Sequence, residues 1–213
     1  MSAGPAHARR LLALGDSYTI GEGVDARDRW PVQLAARLRD RDVPVGEPTI
    51  VARTGWTTDE LSHGIDAAQL DPPYDLVTLL IGVNDQFRGA TAAVYRPRFR
   101  ALLGRAVGFA RDDPGRVIVL SIPDWSVTPF AAGRDRAAIA EAVRAFNVVN
   151  REEASRTGRS SARWVDITES SRSAARDPEL LAADGLHPSA EMYAEWVRLA
   201  LPCAQAILQG PVD

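Results

Sequence analysis

Five short segments rich in apolar or β-branched residues are separated by stretches with helical periodicity. Residues 11–14, 76–81 and 117–120 are nearly continuous apolar runs, and 49–52 and 164–166 are weaker ones. Runs of this length fit strands buried on both faces, which occur mainly in parallel sheets covered by helices. The intervening segments read as those helices. Pro31 suits the first turn of one that carries Leu34 and Leu38 inward. Thr57 and Glu60 have capping-box spacing ahead of Leu61, Ile65 and Ala68. A helix over 94–110 aligns Phe99, Leu102, Leu103, Ala106 and Val107, and the next aligns Ile139, Val143, Phe146 and Val149. Ser189 is placed to cap a last helix with Met192, Trp196, Leu199 and Cys203 inward, which Pro202 should kink or end. Residues 18–28 read as a glycine-rich loop, and 168–183 as polar chain with short helical pieces. Strand–helix alternation with right-handed crossovers predicts an α/β fold, a parallel sheet with helices on both sides.

A chain of 213 residues suits one domain, with a core over about 10–208. The net charge of -3 argues against a nucleic-acid partner, which calls for a strongly basic face. All 25 basic residues are arginine, which excludes P-loop and Schiff-base chemistry, since both need a lysine. A single cysteine, Cys203, excludes an internal disulfide and a thiolate metal cluster. No segment is long enough to span a bilayer, so no membrane insertion is expected. The apolar run after Arg9-Arg10 is too short for a signal-peptide core, and a cytoplasmic location is expected.

The first strand stops at Gly15-Asp16-Ser17, and ligands in such sheets sit beyond the carboxyl ends of the strands. Ester hydrolysis needs a nucleophile, a base, a group that orients the base, and donors for the developing oxyanion. Ser17 is a candidate nucleophile. Of the three histidines, His7 falls in an N-terminal tail and His63 within a helix, and both read as solvent-facing. His187 follows Asp184 by three residues in a turn bounded by Gly185 and Pro188, so the carboxylate can reach its Nδ1 and leave Nε2 for a serine. Gly55 lies just before a helix N-terminus, where unpaired N–H groups favour negative charge. Asn84 ends the central strand.

In order and spacing, Gly15-Asp16-Ser17, Gly55, Gly82-Val83-Asn84-Asp85 and Asp184-Gly185-Leu186-His187-Pro188 resemble the four signature blocks of the SGNH hydrolases, the GDSL esterase/lipase superfamily. The resemblance spans residues 10 to about 200. It implies a three-layer α/β/α, flavodoxin-like fold with five parallel strands in the order 2-1-3-4-5. It also implies Ser17 as nucleophile, His187 as base, Asp184 as its partner, and Ser17, Gly55 and Asn84 as the oxyanion hole, with no cofactor and no metal. The chain departs from the pattern at Tyr18, where many members have leucine, and at Trp56, where an acidic residue is common. Trp56, Trp125 and Phe130 are candidate walls of a substrate pocket, which would favour short acyl groups.

The expected activity is therefore a serine esterase acting on small or short-chain carboxylic esters through an acyl-enzyme. Acyl transfer, thioester or lysophospholipid hydrolysis would use the same machinery, and a non-catalytic acyl or carbohydrate-binding module is a further alternative. Asp16, Asp85, Asp124 and Asp166 all follow strands and suggest a metal-dependent phosphotransferase as a rival, although Asp16-Ser17-Tyr18-Thr19 lacks that motif's second acid. Gly21-Glu22-Gly23-Val24-Asp25-Ala26 spells a dinucleotide fingerprint but follows a loop where the motif needs a strand.

Overall fold

The computed structural model describes residues 8–156 and 161–210. The chain runs through β1 (Leu11–Gly15), α1 (Ser17–Ile20), α2 (Trp30–Arg39), β2 (Thr49–Ala52), α3 (Thr58–Ala67), β3 (Leu76–Leu80) and α4 (Val83–Phe87). It continues through α5 (Ala92–Phe109), β4 (Val117–Leu120), α6 (Arg136–Ser155), β5 (Arg163–Val165), α7 (Thr168–Ser171) and α8 (Ala190–Gln209). The strands form one parallel sheet in the order β2-β1-β3-β4-β5. This is the α/β/α fold and strand order that the signature blocks imply.

Handedness assigns the layers. The connection from β1 through α2 to β2 steps one way across the sheet, whereas those through α3, α5 and α6 step the other way. Right-handed crossovers therefore put α2 on one face and α3, α5 and α6 on the opposite face. Helix α8 packs against α2 and completes that layer. Strands β1, β3 and β4 are buried along their lengths, which is why their sequences lack alternation. The stepping direction reverses between β1 and β3, so a crevice opens beyond their carboxyl ends. Ser17 and Asn84 lie there.

Several local expectations shift. Residues 17–20 form a helical turn instead of loop, because the Asp16 side chain accepts the Tyr18 N–H at 3.0 Å and Gly21 closes the turn in the left-handed region. Helix α5 begins two residues earlier than expected, where Thr91 caps Val94 N. Strand β5 starts one residue earlier and leaves Asp166 beyond its end. Pro202 does not end α8, which continues to Gln209. The helix's buried face includes Tyr193, Val197, Ala200 and Ala204, while Leu199 and Cys203 are half-buried. Packed on the sheet and against its layer neighbour α2, α8 buries a wider stripe than a single periodic row predicts.

Candidate active site

The end of β1 permits no side chain. A Cβ on Gly15 would lie 2.6 Å from the Leu80 carbonyl of the neighbouring strand and would also collide with Thr19. This close approach lets the chain turn directly into α1, with Ser17 as its first residue. Asp16 is buried, and its Oδ2 has no hydrogen-bond partner among the described residues. Burial, reinforced by Asp85 nearby, pushes its carboxyl up to about 8 despite the Tyr18 N–H.

A second element is built on Asp85 in α4. Its carboxylate accepts the Thr58 N–H at 2.9 Å and the Thr58 hydroxyl at 2.6 Å, fastening α4 to the start of α3. The Thr57 and Glu60 capping box closes the same helix end. Just upstream, Gly55 adopts φ +83°, a conformation that favours glycine. Its carbonyl is held by Arg88 Nη2 at 2.7 Å. Asn84 Nδ2 donates to the Trp56 carbonyl at 2.9 Å, leaving its second N–H available. Neither the Ser17 nor the Gly55 backbone N–H donates to a protein acceptor among the described residues.

The third element is the turn before α8. Asp184 Oδ1 accepts the N–H groups of Leu186 and His187, both at 2.9 Å, and Oδ2 lies 2.5 Å from His187 Nδ1. Partial burial pushes the Asp184 carboxyl up, but these donors outweigh it and hold it below its ordinary value. The Tyr18 ring meets the His187 ring edge-on, with centroids 5.6 Å apart.

These elements meet at one cavity of about 150 Å³, lined by Ser17, Gly55, Asn84 and His187 together with largely apolar neighbours. Trp125 and Phe130 line it, as expected of pocket walls. Trp56 does not, because its ring packs over Gly64 of α3 and only its carbonyl serves the site. Sequence reading missed Phe87, which also lines the cavity. It follows Asn84 by three residues, the spacing that puts two side chains on one helical face. The indole of Trp125 is pinned by Gln86 Oε1 at 2.9 Å, and the Phe130 N–H donates to the Gly185 carbonyl at 3.2 Å, tying this wall to the His187 turn.

Comparison with known proteins identifies the family and the fold. The sequence matches the model of the GDSL-like lipase/acylhydrolase family over residues 13–195. The chain belongs to that family. A solved lipase/acylhydrolase from Enterococcus faecalis is similar in fold, with 20% identity, a TM-score of 0.72 and coverage of 96% of this chain and 100% of that one. An acetylxylan esterase from Geobacillus stearothermophilus is similar at 17% identity and a TM-score of 0.71, covering 92% and 94% of the two chains. A member of the lipolytic G-D-S-L family from Veillonella parvula DSM 2008 follows at 18% identity and a TM-score of 0.69, covering 92% and 97%. A search of curated proteins finds no match.

The remaining sequence candidates lie elsewhere. His63 is exposed on α3, and His7 lies outside the described residues. The acids of the rival metal reading have separate local partners: Asp124 accepts Ser126 N and Arg172 Nε, and Asp166 accepts Ser121 Oγ and Thr168 N. Among the described residues, no helix is long and apolar enough to cross a membrane.

Proposed function

We propose that the protein is a serine esterase that hydrolyses small or short-chain carboxylic esters through an acyl-enzyme. The observation that carries this reading is the Asp184 Oδ2–His187 Nδ1 contact of 2.5 Å behind a ring that shares a cavity with Ser17. Asp184 holds the tautomer with the proton on Nδ1, so Nε2 can accept the Ser17 proton as Oγ attacks the ester carbonyl. The carbonyl oxygen gains charge and is received by the N–H groups of Ser17 and Gly55 and the second N–H of Asn84. As the tetrahedral intermediate collapses, His187 gives that proton to the departing alcohol. Water, deprotonated by the same imidazole, then releases the acid and frees Ser17.

Cavity size supports the short-chain preference. A void of about this volume holds a benzene-sized guest, so a single ring or a chain of a few carbons fits without the walls moving. The test is a panel of p-nitrophenyl esters from acetate to palmitate, run beside a Ser17→Ala variant and fluorophosphonate labelling. Rates should be highest at acetate to butyrate, with label on Ser17. Near-normal hydrolysis by Ser17→Ala, or a rate that climbs towards palmitate, would refute the proposal.

A further inference from the structure

Arg134 lies over three aromatic rings of the cavity wall. Its guanidinium carbon is 5.2 Å from the Phe87 ring centroid, 5.3 Å from Phe130 and 5.9 Å from Trp125. Those rings pack on one another with centroids 5.7–6.1 Å apart, and all three line the cavity that holds Ser17. Arg134 is exposed, and among the described residues its guanidinium meets no carboxylate and no hydrogen-bond acceptor. Neighbouring arginines are differently employed. Arg136 donates to the carbonyls of Ser126 and Thr128, and Arg88 donates to Gly55 and Glu60. With no acceptor for them among the described residues, the guanidinium N–H groups of Arg134 stay available for a bidentate acceptor.

Charged groups on the opposite side of the cavity are already engaged. The Glu22 carboxylate accepts the Thr54 hydroxyl and Arg88 is held by Gly55 and Glu60, whereas Arg134 beside the aromatic wall has no carboxylate partner among the described residues. We infer that Arg134 recognises a carboxylate or similar anionic group carried by the ester substrate, with Phe87, Trp125 and Phe130 covering the apolar portion between that group and the reacting carbonyl. This rests on the esterase reading above and narrows its substrate class to acidic esters. A charge-assisted hydrogen bond at the edge of a low-dielectric cavity is stronger than a neutral one and steers anionic substrates inward.

Two matched pairs of esters test it. The first pair, p-nitrophenyl hemiglutarate and its methyl ester, places the carboxylate on the acyl portion; the second, 4-acetoxybenzoate and its methyl ester, places it on the alcohol portion. Each is assayed with the wild type, Arg134→Met, which keeps an apolar cover on the rings, and Arg134→Lys, which keeps the charge. In one pair, the wild type should prefer the acidic member. That preference should fall about tenfold in Arg134→Met, the order expected for one charge-assisted hydrogen bond, through KM more than kcat. Arg134→Lys should retain part of it, and thermal midpoints report whether each variant is folded. Equal losses on both members of each pair, or an unchanged preference in both pairs, would overturn the inference and leave the esterase reading standing. Failure of the wild type to hydrolyse any of the four esters would instead overturn the esterase reading itself.

Discussion

Asp85 holds Thr58 by both its backbone N–H and its hydroxyl, across 27 residues of sequence. The contact joins α4, just beyond β3, to the start of α3, and Asn84 and Gly55 lie close in sequence to its two ends. A carboxylate at a helix N-terminus is favoured by the dipole and satisfies a donor that has no partner within the helix. Asp85→Ala should lower stability by about 2 kcal/mol, since it strands two donors, and should also lower kcat by loosening Gly55 and Trp56. Asp85→Asn should lose less, because its Oδ1 can still accept the Thr58 N–H. Urea unfolding and ester turnover measure both, and equal behaviour of the two variants would contradict this role.

Asn84 offers one amide hydrogen to the Trp56 carbonyl and, on the proposed mechanism, the other to the oxyanion. Asn84→Ala should reduce kcat by about 10²- to 10³-fold, the usual loss for one oxyanion donor. KM should change little, because the bond strengthens only as charge develops. A variant that loses affinity but keeps its turnover number would assign Asn84 to substrate binding instead.

Asp16 makes stability depend on pH in a predictable direction. Its carboxyl titrates near 8 in the folded protein, pushed up mainly by burial, against an ordinary value of 3.8. Between those values the native state holds a proton that the unfolded chain has released. The stabilisation is thus complete below about 4 and is lost as pH rises through about 8. Asp16→Asn imitates the protonated acid and removes this dependence. Relative to the wild type, the variant should gain thermal stability steadily from pH 5 to about pH 8 and level off above it, and a constant difference across that range would count against it.

Glu153 has the opposite sign. Hydrogen bonds from Arg100 lead a set of interactions, joined by Arg96, that overcome burial and bring its carboxyl down to about 2. Its contribution is present above the unfolded value near 4.5 and is lost as pH falls through about 2. Because both arginines are partly exposed, the pair is screened, and Glu153→Gln should cost about 2 kcal/mol at pH 7. Denaturant titrations at pH 7 and pH 3 should show that cost shrinking in acid.

Much of this fold was readable from local pattern. A strand buried on both faces has an unbroken apolar sequence, as 11–14, 76–81 and 117–120 do, and a capping box such as Thr57 with Glu60 is a contact between near neighbours. The Asp184–His187 contact was legible for the same reason, since three residues in a Gly/Pro-bounded turn bring carboxylate and ring together. What spacing could not convey was which distant surfaces meet. Trp56 reads from the sequence as a pocket aromatic and Phe87 does not, yet the first lies on Gly64 and the second joins Trp125, Phe130 and Arg134, because helix packing orients each ring. The amino-acid sequence by itself determined the strands, their parallel sense and the residues delivered to strand ends. Only tertiary structure decided the burial of Asp16, the Asp85–Thr58 fastening and the aromatic wall beneath Arg134. Burial and charge in those places arise from elements far apart in the chain, and no local periodicity records their meeting.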